Sequence, residues 1–170
     1  MTEAFTVEIL RSEHDRTRFA CGVAALDRYF REIVSQDIRR RLSNCFVAVD
    51  ANAMVAGYYT FAATAVPLTE LPTEQTKRLP RYPSVPAGLI GRLAVDRRFQ
   101  GRGVGSLMVV DAVARAIRAD TAIYALVVDA KDDLALRFYV HHGFHTFLSH
   151  PMTLFLPLAE AARRLVSPIE

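Results

Sequence analysis

The alternation of apolar and polar residues predicts where this chain forms helices and strands. Apolar side chains recur at helical spacing across residues 24–40, which predicts one long helix that can break near Ile33; they are Val23, Leu26, Phe30, Ile33, Val34 and Ile38. Residues 44–50 and 55–66 are mostly apolar and are separated by the turn sequence DANAM. This arrangement predicts two antiparallel strands.

The second half of the chain alternates strand patterns with helix patterns. The predicted elements are a strand at 88–96, a helix at 106–120, a strand at 122–129, a helix at 133–143 and a strand at 152–158. On the first of these helices one face carries four apolar residues, which we expect to be buried: Leu107, Val110, Ala114 and Ile117. Gly143 closes the second helix, as glycine commonly does. Together with the hairpin, this order predicts a three-layer α/β domain on a mixed sheet.

A proline-rich segment separates the two halves. Residues 67–86 contain five of the eight prolines, and this density stops both helices and central strands. We expect a surface loop with one short helical turn around residues 73–78. Because apolar strand patterns continue on both sides, we interpret the segment as an excursion from a single domain spanning residues 1–170. Such loops often shape the access of substrate.

Composition and charge narrow the class of protein. A chain of 170 residues that is 51% hydrophobic can bury one full core. It has no run of 18 apolar residues and no signal-peptide pattern, so we expect a soluble cytoplasmic protein that does not bind membranes. Two cysteines, Cys21 and Cys45, make no disulfide framework, and we expect ordinary buried or half-buried thiols. The net charge is +3 and only two of the 21 basic residues are lysine, which is compatible with a polyanionic ligand.

The segment RRFQGRGVG at residues 97–105 places three glycines where a predicted strand meets a predicted helix. Glycine permits a tight turn and lets a ligand approach the N–H groups, and the start of a helix adds unpaired N–H groups and a positive dipole end. These features suit a pyrophosphate, although a flexible turn without a ligand fits the bare pattern equally well. A P-loop is excluded because no Lys follows, and the dinucleotide motif is excluded because the spacing is G-x-G-x-G.

Gln100–Gly105 matches the Q/R-x-x-G-x-G/A signature of the GNAT-type N-acetyltransferases, and KDDLALRFYVHHGF resembles that family's A..FY...GF segment. The resemblance implies a GNAT fold, with a mixed, mostly antiparallel sheet that is splayed where acetyl-CoA binds. It also implies that the loop amides hold the pyrophosphate of acetyl-CoA and that the strand before the loop pairs with the pantetheine arm. The residues implied at the cofactor are Leu93, Ala94, Val95, Arg98, Gln100, Gly101, Arg102, Gly103, Val104, Gly105, Ser106 and Phe138.

Tyr139 occupies the position of the family's general acid. Amine acetylation needs a neutral amine, a polarised thioester carbonyl and a proton for the leaving thiolate. By resemblance, the Val95 N–H polarises the carbonyl and the Tyr139 hydroxyl protonates the sulfur. We expect Phe138 to face the core and Tyr139 to face the cofactor, and a purely aromatic packing role is the alternative for Tyr139.

The sequence offers no convincing general base. The strand before the loop carries no Glu, and Asp96 at its end can simply cap the turn or pair with an arginine. A lysine amine has a pKa of about 10 and needs a base, whereas an α-amino group has a pKa of about 8 and needs only water. The missing base therefore favours an α-amine on an activated ester as the substrate.

Four histidines lie at or shortly after the end of the second predicted helix: His141, His142, His145 and His150. They straddle the end of that helix, and no Cys or acidic residue accompanies them at a standard ligand spacing. We therefore expect no metal site.

Across nearly the whole chain, the order of segments resembles GNAT toxins of bacterial toxin–antitoxin pairs. The segments include ACGVAALDRYFREIVSQDIRRR, VAGYYTFAATAV, the proline-rich loop, LIGRLAVDRRFQGRGVGSLMVVDAV and PMTLFLPL. The resemblance implies acetylation of the α-amine of aminoacyl-tRNA, which blocks translation, a ribbon-helix-helix antitoxin as partner, and a homodimer. One departure is VVDAKDD, which stands where relatives often carry His or Asn after the strand, so the cofactor contacts there stay open.

Several arginines are candidate contacts for tRNA phosphates: Arg39, Arg40, Arg41, Arg78 and Arg92, with Lys77 and Arg81 nearby. The run of three arginines is also typical of a solvated helix end, where the helix dipole favours cations. Both interpretations stay open at the level of sequence.

Two other functions remain as alternatives. One is a non-toxic GNAT acetyltransferase of a small amine or a protein N-terminus, which predicts an acidic pocket, whereas the chain around the site is basic. The other is a non-catalytic regulator that binds acyl-CoA or DNA, which the retained Tyr139 and the intact glycine loop disfavour. The sequence does not indicate which aminoacyl-tRNA is chosen.

Overall fold

The computed structural model describes residues 4–166. The first part of the chain forms β1 (Thr6–Ile9), α1 (Ala24–Arg28), a π-helical turn (Tyr29–Ile33), α2 (Val34–Arg39), β2 (Asn44–Val49) and β3 (Val55–Pro67). A 3-10 turn (Leu68–Glu70), α3 (Thr73–Thr76), β4 (Ser84–Val95) and a second 3-10 turn (Arg97–Phe99) follow. The last part forms α4 (Val104–Arg118), β5 (Ala125–Asp129), α5 (Asp133–His141), β6 (His145–Thr146), β7 (Thr153–Pro157) and α6 (Leu158–Val166).

The strands of the described residues form one seven-stranded mixed sheet with the order β1-β2-β3-β4-β5-β7-β6. The pairs β1–β2, β2–β3, β5–β7 and β6–β7 are antiparallel, and β4–β5 is parallel. The parallel pairing joins Ala87–Ile90 to Ala125–Val128, and β4 then continues to Val95. The predicted α/β class and the mixed, mostly antiparallel sheet are confirmed.

Two compact units divide the chain, and each is built from two stretches. The first contains the chain up to Ala62 together with Gly91–Ala112, and the second contains Ala63–Ile90 together with the chain from Val113 onward. The single domain expected from the length of the chain stays a prediction.

Aromatic rings fill the core of the first unit. The rings of Phe30 and Tyr58 are stacked with centroids 4.3 Å apart, and Phe19 meets both edge-on at 4.9 and 5.4 Å. All three are at most 1% exposed, and burial of one such side chain stabilises a fold by about 2–3 kcal/mol. The Tyr58 hydroxyl donates to the carbonyl oxygen of Leu26 at 2.7 Å, so its polar end is also satisfied.

The helix predicted at residues 24–40 forms, and its expected break is a change of helical pitch. The break is the π-helical turn Tyr29–Ile33, which ends at the residue where the sequence allowed it. A π turn widens the helix locally and is frequent near functional sites. Here it buries two consecutive rings, since Tyr29 is 4% exposed and Phe30 is 0% exposed.

A separate apolar cluster forms the core of the second unit. It joins residues of β3, β4, β5 and β7 with one residue that follows the first 3-10 turn: Val66, Leu71, Val85, Ala87, Ala125, Val127 and Phe155. Such a continuous cluster explains why the pattern at residues 122–129 is apolar without alternation.

The prediction for the buried face of α4 is wrong. Val110 is 46% exposed and Ile117 is 41% exposed, while Leu107 and Ala114 are half-buried. The buried residues are Val104, Met108, Val109, Ala112, Val113 and Ala116. The helix α4 carries more apolar residues than one face can hold. Helical periodicity is therefore consistent with two different apolar faces and does not decide which of them is buried.

The sequence analysis did not predict β1, β6 and α6, and several of its boundaries differ from those of the structure. The strands β1 and β6 are short, and α6 follows β7 directly at Leu158. The proline-rich loop is shorter than predicted because β4 already begins at Ser84 and includes Pro86. Proline is tolerated near the first residues of a strand, where few ladder bonds need its missing N–H.

Candidate active site

The last residues of β4 present backbone groups at a free edge of the strand. The N–H of Arg92 donates to Thr60 Oγ1 at 3.0 Å and the N–H of Asp96 donates to Ala56 O at 2.8 Å, so these even-numbered amides face β3. Because backbone groups alternate along a strand, Leu93 and Val95 turn their amides to the opposite edge. That edge lies beyond the parallel pairing, which ends at Ile90. Amides at such an edge suit an extended ligand such as the pantetheine arm.

Asp96 fixes the turn between β4 and the glycine loop. Its carboxylate accepts from the N–H of Ala20 at 3.1 Å and from the N–H and Nε of Arg98, both at 2.9 Å. The residue is 1% exposed. Burial alone would raise the pKa of Asp96, but the hydrogen bonds from Arg98 and Ala20 outweigh it and hold that pKa below 3.8. Asp96 therefore serves as a cap and ion-pair partner, which is the structural role that the sequence allowed.

The glycine loop contains two left-handed residues. Gly101 has φ of +79° and Gly103 has φ of +81°, and a Cβ at either position would meet nothing within 4 Å. The backbone conformation thus requires glycine at both positions, and the space beside them is open to a ligand. Gly105 differs, because it already lies inside α4.

The helix α4 begins in the loop, two residues earlier than predicted. The bond from Leu107 N–H to Gly103 O at 3.0 Å closes its first turn. The first N–H groups of a helix generally have no acceptor within it, and they lie at the positive end of the helix dipole. A pyrophosphate is a suitable ligand for that position.

Close packing holds this helix against the sheet. A Cβ at Gly57 of β3 would come within 2.8 Å of Met108 Cε and 2.9 Å of Ala94 O. Glycine is therefore needed at position 57 so that α4 can lie directly over β3 and β4. This packing positions the start of α4, and the sequence analysis had assigned no role to Gly57.

Three polar side chains of the predicted cofactor set are engaged with the protein itself. The Gln100 amide donates to Cys21 O and Val95 O, both at 3.0 Å. Arg98 pairs with Asp96, and the guanidinium of Arg102 lies 5.4 Å from the centroid of the Phe99 ring. The side chains of Gln100 and Arg98 thus stabilise the loop. We expect any cofactor contact of these two residues to involve mainly their backbone groups. That the predicted residues bind acetyl-CoA stays a prediction.

Tyr139 lies in the second unit, in the last turn of α5, and a helix-ending motif locks its ring. Gly143 has φ of +92°, and the N–H of Phe144 donates to Tyr139 O at 3.1 Å. This is a Schellman motif, which commonly brings its two flanking apolar side chains together. The rings of Tyr139 and Phe144 accordingly lie with centroids 5.5 Å apart. The motif explains why Gly143 and Phe144 stand four and five residues after Tyr139 in the sequence.

The Tyr139 hydroxyl is free of protein partners. Within residues 4–166 no hydrogen bond to this oxygen is formed, although the residue is only 6% exposed. Burial raises the pKa of Tyr139 to about 12, so the phenol keeps its proton at neutral pH. A protonated hydroxyl without a protein partner can donate to a ligand.

The expected burial of the two neighbouring rings needs a correction, whereas the expectation that Tyr139 faces the cofactor stays a prediction. Tyr139 is buried and Phe138 is only half-buried, which reverses the expectation that Phe138 faces the core. The Phe138 ring lies edge-on to Tyr139 at 5.1 Å and to His142 at 4.6 Å. The reason is the Schellman motif at the end of α5. It brings the buried Phe144 ring against the Tyr139 ring, so Tyr139 is the more buried of the two neighbours.

The candidate tRNA contacts fall into two kinds. Arg39, Arg40, Arg41 and Arg78 are exposed side chains at helix ends or in turns. Arg92 is half-buried, and its guanidinium carbon lies 3.5 Å from the centroid of the Tyr29 ring. The Tyr29 hydroxyl in turn donates to Asp37 Oδ2 at 2.7 Å. Sequence analysis missed Tyr29 and Asp37, and their only signal was the predicted break in the helix.

The acidic residues after β5 have structural partners. Asp132 accepts from the N–H of Ala135 at 2.8 Å and caps α5, and Asp129 accepts from the Thr153 hydroxyl at 2.7 Å. His145 pairs with Glu160 at 3.0 Å.

Among the described residues, no three His, Cys, Asp or Glu side chains are grouped as metal ligands. No helix of these residues is long and apolar enough to cross a membrane. Among the described residues Cys21 and Cys45 form no disulfide, and burial raises the pKa of Cys45 to about 12.

Comparison of the sequence with known families matches residues 41–146 to the acetyltransferase (GNAT) domain. The chain is 36% identical over 154 residues to the tRNA-acetylating toxin of Mycobacterium tuberculosis (strain ATCC 25618 / H37Rv), which covers 89% of this chain and 90% of that protein. It is 25% identical over 158 residues to the probable toxin TacT of Sinorhizobium fredii (strain NBRC 101917 / NGR234), which covers 87% of both chains.

Solved structures show the same fold. The complex of AtaT with acetyl-methionyl-tRNAfMet has a TM-score of 0.86 at 28% identity and covers 96% of this chain and all of that one. AtaTR bound with acetyl-CoA has a TM-score of 0.81 at 26% identity, over 98% and 100% of the two chains. A tyrosine-to-phenylalanine mutant of the AtaT toxin, bound to the C-terminus of the antitoxin AtaR, has a TM-score of 0.81 at 25% identity, over 96% and 99%.

Proposed function

The chain belongs to the acetyltransferase (GNAT) family, and from this premise we propose that it is a toxin that acetylates the α-amine of aminoacyl-tRNA and so blocks translation. It is an N-acetyltransferase with acetyl-CoA as the acetyl donor. The similarity to the mycobacterial tRNA-acetylating toxin, which extends over 89% of the chain, supports tRNA as the acceptor. The observation that carries the proposal is the buried, protonated Tyr139 hydroxyl, because a hydroxyl without a protein partner suits the departure of a thiolate.

The proposed cofactor contacts follow the local geometry of the first unit. The pyrophosphate of acetyl-CoA is assigned to the loop amides of Gly101–Ser106, where two positive φ values turn the backbone outward. The pantetheine arm is assigned to the free edge of β4 at Leu93 and Val95. In that arrangement the Val95 N–H donates to the thioester carbonyl oxygen and stabilises negative charge there during attack.

The proposed reaction is a direct transfer. The amine nitrogen attacks the thioester carbonyl carbon, the new N–C bond forms, and the C–S bond breaks. The amine releases one proton to water, and the Tyr139 hydroxyl donates its proton to the departing sulfur. The products are the N-acetylated aminoacyl-tRNA and coenzyme A, and the phenolate of Tyr139 recovers its proton from solvent.

The proposal assigns no protein base, and the contacts of Asp96 support leaving that residue out. Asp96 is ionised but holds its carboxylate against Arg98 and Ala20, so it is not available to an amine. An α-amine has a pKa of about 8, so roughly a tenth of it is neutral at pH 7, which is about a hundredfold more than for a lysine amine with a pKa of about 10. Acetylation turns that amine into an amide, which cannot attack a peptidyl ester, and this chemistry accounts for the block of translation.

The proposal extends to partners. The exposed arginines at positions 39, 40, 41 and 78 are assigned to tRNA phosphates, for which arginine is well suited. A ribbon-helix-helix antitoxin is the proposed inhibitor, and a homodimer is the proposed assembly, with the cytoplasm as the site of action. The solved complex of AtaT with the antitoxin AtaR supports an antitoxin partner.

The test is an acetyl-transfer assay with radiolabelled acetyl-CoA. Charged total tRNA is the substrate, and deacylated tRNA and a polyamine–peptide mixture are parallel samples. We expect label on charged tRNA alone. Tyr139→Phe should abolish most of it, whereas Tyr82→Phe should not, because Tyr82 is 63% exposed and has no assigned role. Label on small amines or peptides instead of charged tRNA overturns the proposal.

A further inference from the structure

Arg92 differs from the other candidate tRNA contacts in how its charge is held. Its guanidinium lies flat enough over Tyr29 to bring the central carbon within 3.5 Å of the ring centroid. The side chain is half-buried, and within residues 4–166 no carboxylate or carbonyl oxygen pairs with it. Arg98, by contrast, forms an ion pair with Asp96.

The contacts beneath Arg92 hold its guanidinium in one orientation. Tyr29 is 4% exposed and donates its hydroxyl proton to Asp37 at 2.7 Å, so the ring cannot turn away. Burial, and then the hydrogen bond to Asp37, raise the pKa of Tyr29, so the ring stays neutral. Stacking on an aromatic face occupies the plane of a guanidinium and leaves its N–H donors at the edges. An arginine that is fixed, half-buried and unpaired is suited to bind an anion with two parallel hydrogen bonds.

The position of Arg92 along β4 matches the length of the proposed substrate. Arg92 precedes Val95 by three residues, which corresponds to about 10 Å along a strand. In an aminoacyl nucleotide the α-amine is separated from the phosphorus of the same nucleotide by eight bonds, which span roughly 10 Å when extended, because each bond advances an extended chain by about 1.2 Å. A substrate whose amine lies at the thioester near Val95 is therefore long enough for that phosphate to reach Arg92.

We propose that Arg92 binds the phosphate of the terminal nucleotide of aminoacyl-tRNA and thereby fixes the esterified end for acetyl transfer. Tyr29 and Asp37 are positioning residues, which hold the guanidinium and do not touch the substrate. The exposed arginines then provide general attraction to the acceptor strand, whereas Arg92 recognises one particular phosphate. This inference rests on the proposed function and adds the point of contact that orients the substrate.

The test removes the charge from either side of the contact. Charged tRNA is prepared with its last phosphodiester intact or replaced by a neutral methylphosphonate, and kcat/KM is measured for both. In the wild-type protein we expect the methylphosphonate to lower kcat/KM roughly ten- to hundredfold, as for a hydrogen-bonded ion pair. In Arg92→Gln the intact substrate should lose a similar factor, and the methylphosphonate should then cause little further loss, because the two changes remove the same contact.

Further variants separate positioning from folding. Arg92→Lys should recover only part of the preference for the intact phosphate, because an ammonium cannot stack or bind through two parallel N–H groups. Tyr29→Leu should weaken that preference more than Tyr29→Phe, which keeps the ring. Arg118→Gln removes one exposed arginine of unassigned role and should leave the preference unchanged. Acetyl-CoA titration and thermal unfolding verify that each variant is folded.

Two outcomes overturn the inference, and they are distinguishable from failure of the proposed function. If the losses from Arg92→Gln and from the methylphosphonate multiply independently, Arg92 does not contact that phosphate, although the protein still acetylates charged tRNA. If wild-type protein gives no label on charged tRNA at all, the proposed function fails and this inference fails with it.

Discussion

Replacement of Asp96 by Asn tests whether this carboxylate is structural or catalytic. The carboxylate accepts four hydrogen bonds: from Ala20 N–H, Arg98 N–H, Arg98 Nε and Arg98 Nη2, at 2.9 to 3.1 Å. An asparagine keeps one oxygen but points an NH₂ group at donors, so at least one oxygen's bonds are lost. The change therefore affects the turn that joins β4 to the glycine loop.

The magnitude follows from the number and kind of bonds lost. A hydrogen bond to a charged group contributes about 1.5–3 kcal/mol to stability. The Asp96 side chain is 2% exposed, but its partner Arg98 is 44% exposed, so solvent screens part of the ion pair. We expect Asp96→Asn to lower the free energy of unfolding by about 2–4 kcal/mol, measured by urea denaturation.

The pH dependence has a definite sign. Because the folded-state pKa of Asp96 is held below 3.8, its stabilisation is fully present above the unfolded-state value of about 3.9. It is lost as the pH falls through the lower, folded-state value. The stability difference between wild type and Asp96→Asn should therefore be constant near pH 6–7 and shrink well below pH 4.

Kinetics distinguish the structural role from a catalytic one. A disturbed turn should raise KM for acetyl-CoA and leave kcat nearly unchanged, since the loop carries the proposed cofactor contacts. A general base would behave differently, because its loss typically lowers kcat by a factor of about 10² or more while stability stays the same. A stability change below about 1 kcal/mol, together with a large fall in kcat, would refute the structural assignment of Asp96.

Three further predictions test other parts of the chain. Arg41→Gly should stabilise the protein in urea denaturation by about 0.5–1 kcal/mol, because Arg41 has φ of +60°, whereas the control Arg40→Gly, at φ of −78°, should destabilise it. Gly103→Ala should raise KM for acetyl-CoA about tenfold with little change in kcat, because φ of +81° strains alanine; a normal KM would contradict it. Initial acetylation rates, divided at each pH by the charged tRNA that survives alkaline hydrolysis of its ester, should rise as the α-amine loses its proton, near a pKa of about 8, and should not fall again up to pH 10. The reason is that burial raises the pKa of Tyr139 to about 12, and a fall between pH 8 and 10 would argue against it as the acid.

Two helix ends show what the sequence can and cannot reveal. At α5 a glycine marks the left-handed residue, so the end of the helix at Gly143 was predicted correctly. At α2 the same motif forms, with Leu42 N–H donating to Asp37 O at 2.9 Å, but the left-handed residue is Arg41. An arginine gives no local signal for that conformation. The run of arginines was consequently interpreted only as charge, although one member also ends the helix.

The glycine loop was predictable because its chemistry is local. Residues that need positive φ, the start of α4 and the capping Asp96 all lie within about a dozen consecutive positions. The burial of α4 was not predictable, because two apolar stripes compete and only the packing of Met108 against Gly57 and the sheet decides between them. The burial of the Phe138 and Tyr139 rings was mispredicted for a similar reason, since the contact between Tyr139 and Phe144 depends on a cap that forms after the helix ends.

The arginines make the same distinction for function. From sequence, Arg92 is one of several cations that suit a polyanion, and nothing separates it from Arg39 or Arg78. In the folded chain the Tyr29 ring, which is distant in sequence, packs against the guanidinium of Arg92. Tyr29 lies in a π-helical turn, and the spacing of apolar residues predicted only a break in the helix there. Charge alone predicts attraction, which is non-specific and falls with salt. A fixed and unpaired guanidinium predicts a particular contact, so loss of Arg92 should change how one phosphate is recognised, whereas loss of an exposed arginine should mainly change the dependence on salt.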